Sequence, residues 1–283
     1  INKVVHRIKF GRRAAAVTLG GLLALSVTAC GGTTNKGNSA EKIQAALEKI
    51  NAIQSMDATM FMEMDMSAMG QSIETDTTMN MSCFNDPMKL KADMTVSMGE
   101  LGAVSMSVYA QQDGEQCSTY LYDGTSWTVQ TMEIDDLQQY DAQQSMDLYL
   151  ESGVDYAYEG TEEINGMTTD KYSGVIRGDA MEEVMKASGA TSNLESSLGS
   201  SVDLSDLYSD MEDMPITVWI DQETGYPVRY YMDMTDVMQA MMTKMFSSMG
   251  AGSITIGKMQ ITMDCFNFDN VADFEIPAEA LAA

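Results

Sequence analysis

The 283-residue chain combines 16 Lys and Arg residues with 42 Asp and Glu residues, which gives a formal net charge of −26 at pH 7. An acidic chain without a basic stripe repels phosphate backbones, so the composition excludes nucleic-acid binding. One His, four Cys and 28 Met are the other unusual counts. The length suits one large domain or two small ones, with a substantial core.

The first 29 residues have the pattern of a secretory signal peptide. Residues 1–13 hold five basic residues and no acid, and an apolar run follows from Ala14 to Val27. The next residues, Val27-Thr28-Ala29-Cys30, resemble the bacterial lipobox, in which the Cys is lipidated and becomes the mature N-terminus. We therefore predict lipidation of Cys30, a flexible tether over residues 30–38, and anchoring to the outer face of the cytoplasmic membrane. The alternative is an ordinary signal peptide with a chance Cys at its cleavage site.

Processing at this site would change the composition of the protein. Residues 1–29 contain five basic and no acidic residues, so their removal shifts the net charge from −26 to −31. It also removes His6, the single His, while all 28 Met stay.

A chain without imidazole cannot build a Ser-His-Asp triad or a His-ligated metal site. The sequence also lacks a P-loop and a dinucleotide-binding glycine motif. We predict a protein that is not an enzyme, with no catalytic residue, metal or cofactor.

The elements begin with an amphipathic helix. Asn38 and Glu41 have the spacing of a capping box, and apolar residues from Ile43 to Ile53 recur at helical spacing, which predicts a helix over about 39–53. The hydrophobic period then changes to two, which is typical of half-buried strands. Six consecutive strands are predicted to form an antiparallel meander with a methionine-rich face, at 56–66, 79–83, 88–98, 103–112, 115–123 and around Trp127.

The second half of the chain mixes strands with helical segments. Asn165-Gly166 is a strong signal for a tight hairpin turn. The acidic, Gln-rich residues 133–152 and the residues 179–213 contain apolar residues at helical spacing, and Pro215 ends the second of these segments. The remaining predicted elements are strands at 156–164, 168–176 and 254–266, a hairpin over 216–234 and a helix over 237–249.

The most distinctive string, WIDQETGYPVR, runs from Trp219 to Arg229. It is similar to the W-[IL]-D-x-x-T-G-x-P-[VL]-[KR] hairpin of the LolA/LppX-like superfamily of bacterial lipoproteins and lipoprotein carriers, and the chain most resembles Gram-positive members. The residues that carry this hairpin signature are Trp219, Asp221, Thr224, Gly225 and Pro227. Alternation along the hairpin also predicts that Trp219 and Val228 face a core.

This resemblance implies both a fold and a range of functions. The implied fold class is α+β, with a long antiparallel sheet curled into a half-barrel and helices packed on or in its concave face, in a single domain over 39–283. In that superfamily the unclosed barrel leaves an apolar cavity, which some members use to hold acyl chains. Because the functions of the superfamily range from lipid carriage to sensing, the fold alone does not decide between them.

Alternation predicts that the methionines form the inner face of the sheet. The candidate cavity-lining residues are Met60, Met62, Met64, Met79, Met81, Leu90, Met94, Met106, Met259, Ile261 and Met263. Unbranched thioether side chains conform to varied shapes, so we predict binding of a lipid or other amphiphile. One alternative is a surface interaction or structural lipoprotein with a filled core and no ligand. A minor alternative is Cu(I) binding through the Met-x-Met strands. Nothing in the sequence identifies a protein partner.

Three cysteines would remain after lipidation of Cys30. Export favours oxidation, so one interpretation is a single disulfide among Cys83, Cys117 and Cys265 with one odd thiol. The other interpretation is three buried free cysteines.

Overall fold

The computed structural model describes residues 36–68, 71–99, 102–133, 155–180, 211–248 and 254–283. Eleven strands in these ranges form one sheet. They are β1 (Ser55–Ala68), β2 (Gln71–Asn85), β3 (Met88–Ser97), β4 (Ala103–Asp113), β5 (Gln116–Tyr122), β6 (Trp127–Glu133), β7 (Ala157–Ile164), β8 (Met167–Ile176), β9 (Met214–Asp221), β10 (Pro227–Asp233) and β11 (Ile254–Phe266).

The sheet is antiparallel throughout and does not close. Its order is β6-β5-β4-β3-β2-β1-β11-β10-β9-β8-β7, so the first and last strands of the chain are neighbours at its centre. Among the described residues, β6 and β7 pair on one side only and form the two edges. The predicted α+β class and open half-barrel are therefore confirmed, as is the six-stranded meander β1 to β6.

Sequence signals at the turns explain much of this topology. Asn165 and Gly166 have φ values of 52° and 81°, as a two-residue hairpin turn requires, and they join β7 to β8. β2 is longer than predicted, because it begins at Gln71 rather than near residue 79. Its first half carries Thr75 and Thr77 at buried positions, where an apolar residue would have revealed the strand.

Within the described ranges, three helices accompany the sheet: α1 (Lys36–Ala52), α2 (Thr235–Ser248) and α3 (Ala278–Leu281). A short 3-10 helix spans Gly178–Ala180. The structure begins α1 at Lys36, so Asn38 lies inside this helix rather than at its predicted N-terminal cap. No helix in the described part of the chain is long and apolar enough to cross a membrane.

The main core lies between α1, α2 and one face of the sheet, which we call the inner face, whereas α3 packs against β5 and β6 on the opposite face. Apolar residues of α1, including Ile43, Leu47 and Ile50, belong to the same buried cluster as Val237 and Met241 of α2. The strands contribute side chains at alternate positions to this cluster: Met56, Ala58, Tyr172, Ile216, Val218, Tyr230, Met232, Ile261, Met263 and Cys265. Burial of this apolar surface stabilises the sheet and holds both helices on it.

The outer face carries ion pairs between β1, β10 and β11, whereas over β4–β6 its Tyr109, Tyr120 and Trp127 pack against Phe274, Ile276 and Ala280 of the C-terminal segment. Arg229 donates to Asp264 over 2.5 and 2.7 Å, and Lys258 lies 2.6 Å from Glu63. Burial alone would raise the pKa of Asp264, but hydrogen bonds from Arg229 and Asn165 and the Arg229 charge lower it below the usual value. These contacts place Asp264 and Glu63 on the outer face, each beside a basic residue of a neighbouring strand.

Several predictions fall on residues that the structure does not describe. These are the signal peptide over 1–29, Cys30 and most of its tether, the helix within 133–152 and most of the helical segments over 179–213.

Candidate functional site

Five methionines form a continuous row across five adjacent strands. Met263 of β11 lies opposite Met60 of β1, which lies opposite Met79 of β2. Met79 is in turn paired with Met94 of β3, and Met94 with Met106 of β4. Directly opposed residues in antiparallel strands have Cβ atoms about 4.5–5.5 Å apart. We call these five residues the methionine row.

The row crosses the boundary between a covered and a more open part of the inner face. On one side, the same register continues from Met263 to Tyr230 and Val218, and all three are at most 2 % exposed beneath the helices. On the other side, Met60, Met79, Met94 and Met106 are only half-buried. The sulfur-bearing surface therefore begins in the core and extends outward toward β4.

All eleven predicted cavity-lining residues lie on this inner face. Met62 is opposite Ile261, and Met64 is opposite Met259, in register lines next to the methionine row. Ile261 and Met263 are buried, and the other nine candidates are half-buried. Four of those nine pack directly against the main core: Met60, Met62, Met81 and Leu90. The structure thus brings the candidates together as one surface.

Methionine makes the inner face more deformable than β-branched residues would. Strands favour β-branched residues, and the helix-covered strands β8 and β9 do use Ile176, Ile216 and Val218 at buried positions. Methionine is unbranched and has three rotatable bonds, so it packs less rigidly and adapts to the shape of a contacting molecule. The half-buried part of the inner face is therefore apolar, deformable and rich in soft sulfur atoms.

The signature hairpin between β9 and β10 has a structural role. The carboxylate of Asp221 accepts hydrogen bonds from the backbone N–H and the hydroxyl of Thr224, at 2.8 and 2.6 Å. Lys49 of α1 donates to the carbonyl of Thr224 over 2.6 Å and lies 5.2 Å from the ring of Tyr226. The hairpin thereby fastens α1 to the sheet, a contact that sequence reasoning missed because 175 residues separate its partners.

Trp219 occupies a different place from the predicted one. Val228 is buried at 2% exposure, as expected, but Trp219 lies on the outer face, since its neighbour Val218 belongs to the inner-face core. Its indole N–H donates to Glu162 over 2.9 Å, and the Lys171 ammonium lies 5.2 Å from its ring. Strand alternation fixes this outcome, and the polar neighbours cover the ring. Pro227, the remaining signature residue, is fully buried at the start of β10.

The turn geometry gives a testable prediction at Gly225. Its φ of +71° is a conformation that L side chains rarely adopt, and an added Cβ would lie 3.3 Å from Cε of Lys49. We expect Gly225→Ala to lower the free energy of unfolding by about 1–2 kcal/mol, measured by urea denaturation. Gly257→Ala is the matched control, because a Cβ there meets only ordinary contacts at 3.6 Å or more. A loss at Gly257 equal to that at Gly225 would contradict the conformational explanation.

The three described cysteines are free and buried. Cys83 is on β2 and Cys265 on β11, and β1 lies between them. Two strand spacings amount to about 10 Å, which is too far for a disulfide between them. Burial raises the pKa of Cys83 to about 12 and raises that of Cys265 further, so both thiols stay protonated at neutral pH. The interpretation with three buried free thiols therefore fits the structure.

The other common metal-ligating side chains are not clustered in the described ranges. No group of three or more His, Cys, Asp or Glu side chains there is arranged to hold a metal ion. Carboxylates on the strands of the methionine row instead contact basic or hydroxyl groups. Asp93, for example, forms an ion pair with Lys91 and accepts a hydrogen bond from Ser107. The inner-face sulfur surface is accordingly the feature that stands out chemically.

Comparison with known proteins places this chain in a family. The family model described as "family of unknown function (DUF6612)" matches residues 38–283. The chain belongs to the DUF6612 family. No curated protein matches this DUF6612 chain.

Solved structures with similar folds share little sequence with the DUF6612 chain. The lipoprotein LppX from Mycobacterium tuberculosis is 15% identical, with a TM-score of 0.43 over 83% of this chain and 97% of that chain. LprF from Mycobacterium bovis is 14% identical, with a TM-score of 0.44 over 86% and 98% of the two chains. A LolA superfamily protein from Nitrosomonas europaea is 7% identical, with a TM-score of 0.25 over 82% and 94%. The names of these structures include LppX and the LolA superfamily, to whose hairpin Trp219–Arg229 is similar in sequence.

Proposed function

We propose that this DUF6612 protein is a membrane-anchored extracytoplasmic lipoprotein that binds a lipid or other amphiphile on its inner face, without catalysis. The observation that carries the proposal is the methionine row, in which four adjacent methionines stay half-buried beside a helix-covered core. An adaptable apolar surface of this kind suits flexible acyl chains better than a rigid ligand.

The dimensions of the row favour an extended acyl chain. Five strands at a spacing of about 4.8 Å give the row a length of about 19 Å, which is of the order of an extended long-chain acyl group. Each methylene that the surface removes from water contributes about 0.8 kcal/mol. About fifteen such groups contribute about 12 kcal/mol, which offsets an association cost of about 4 kcal/mol and leaves the roughly 8 kcal/mol of micromolar binding.

The proposed location rests on the N-terminal sequence. The basic segment, the apolar run and the lipobox-like residues before Cys30 occur in the order that export and lipidation require. A lipid at Cys30 and a short tether would hold the domain close to the membrane, which is the source of the proposed ligand. The net charge of −26 then keeps the anchored domain away from anionic wall polymers.

Binding of a fluorescent long-chain fatty acid tests the proposal. We expect saturable binding in the range of about 1–10 µM, with displacement by unlabelled palmitate. Native mass spectrometry of the gently purified protein should show a reproducible mass of co-purified lipid. An apo mass alone, together with no saturable uptake of the probe, would favour the alternative of a surface lipoprotein with a filled core.

A further inference from the structure

The methionine row is also an array of soft metal ligands. We propose that the thioether sulfurs of Met60, Met79 and Met94 bind Cu(I), a soft monovalent d¹⁰ cation. This site goes beyond the proposed amphiphile binding and does not depend on it. It uses the sulfur atoms of the row, whereas an acyl chain uses only its apolar surface.

The cross-strand register brings these sulfurs together. Met79 on β2 lies directly opposite Met60 on β1 and Met94 on β3. Their Cβ atoms are about 4.5–5.5 Å apart in each pair, and each side chain has three rotatable bonds. The two outer side chains can therefore lean toward the central one and present three sulfurs to one ion. Met263 and Met106 extend the same row on either side.

The pairing of neighbouring strands brings methionine sulfurs closer together than Met-x-Met spacing along one strand does. Alternate residues of one strand are about 6.6 Å apart along the chain, so a single strand spaces its sulfurs widely. Strand alternation also explains Met-x-Met spacing without any metal. Alignment of methionines on three neighbouring strands is a separate property, because it depends on the strand registers that place Met60, Met79 and Met94 directly opposite one another.

The three thioether sulfurs favour Cu(I) over other metal ions. Thioethers are soft, neutral ligands that favour Cu(I), whereas carboxylates and carbonyl oxygens suit Mg²⁺ and Ca²⁺. The nearby thiols of Cys83 and Cys265 are buried and protonated at neutral pH, which leaves the thioethers as the accessible sulfur donors. The three methionines are half-buried, so an ion can reach them from the inner face. The net charge of −26 also attracts cations.

Methionine-to-leucine substitution separates the sulfur chemistry from the apolar surface. The test variant is Met60→Leu/Met79→Leu/Met94→Leu, because leucine keeps a similar volume and polarity. The matched control is Met167→Leu/Met234→Leu/Met238→Leu, which replaces three half-buried methionines outside the row. Cu(I) affinity is measured anaerobically by competition with a colorimetric Cu(I) chelator, and Ag⁺ binding by native mass spectrometry.

We expect the wild-type protein to compete with the chelator, and the row variant to bind Cu(I) at least about tenfold more weakly. The control variant should stay within about twofold of wild type. Affinity should also be nearly equal at about pH 5.5 and about pH 7.5, because thioethers, unlike thiolates, carry no proton to displace. Equal Cu(I) affinity of the wild type and the row variant, or no competition by the wild type, would overturn the proposal.

The same variants distinguish this proposal from the amphiphile proposal. The row variant should keep its affinity for the fluorescent fatty acid within about threefold, since leucine preserves the apolar surface. Loss of Cu(I) binding with retained probe binding supports both proposals. Cu(I) binding by a wild-type protein that takes up no probe would reject only the amphiphile. Probe binding without Cu(I) binding would reject only the metal.

Discussion

Ile43→Asp is expected to lower the free energy of unfolding by about 4 kcal/mol or more, measured by urea denaturation. Ile43 is 2% exposed and belongs to the buried cluster that joins α1 to the inner face. The substitution removes apolar burial and places a carboxylate where the surrounding cluster offers aliphatic, aromatic and sulfur-containing side chains. Because α1 contacts both β7 and β10, its release would also expose the strands beneath it.

The control for this prediction lies two residues away on the same helix. Ala45 is exposed, so Ala45→Asp changes the charge and helix propensity of α1 without entering the core. We expect a loss below about 1 kcal/mol, mostly from the lower helix propensity of Asp. Similar losses for both variants would mean that α1 contributes little through its buried stripe, contrary to the packing observed.

The strand pattern was predictable because it is local. Alternation of apolar and polar residues reveals which side of each strand is buried, and glycines with positive φ mark turns, as at Gly114 and Gly124. The exception is the first half of β2, where the buried positions hold Thr75 and Thr77. Hydroxyl-bearing side chains there do not produce a hydrophobic period, so the sequence predicts only the second half of this strand.

Long-range features could not be predicted in the same way. The pairing of β1 with β11 joins residues about 200 positions apart, and no local signal specifies it. The Lys49 contact with the signature hairpin depends on the docking of α1. Alternation identified the five methionines of the row as inner-face residues, but their alignment into one row depends on the registers of four strand pairs. The sequence therefore predicts the members of the candidate site and not their arrangement.

Met79→Glu/Met94→Glu is expected to weaken binding of the fluorescent fatty acid by at least about tenfold, or 1.4 kcal/mol. The two residues are directly opposite each other in the middle of the methionine row. Two carboxylates there would have to lose water when an acyl chain covers them, and this desolvation opposes binding. A titration with the fluorescent fatty acid should give a higher dissociation constant. The same titration measures the number of probe molecules bound per chain at saturation.

The control for this pair uses the next residues on the same two strands. Thr78 and Thr95 are also directly opposite each other, but they lie on the outer face. Thr78→Glu/Thr95→Glu therefore adds the same charge and the same cross-strand repulsion while leaving the inner face unchanged. We expect it to bind the probe within about twofold of wild type. If both double variants lost affinity equally, the cause would be net charge or sheet stability, and the methionine row would not be the binding surface.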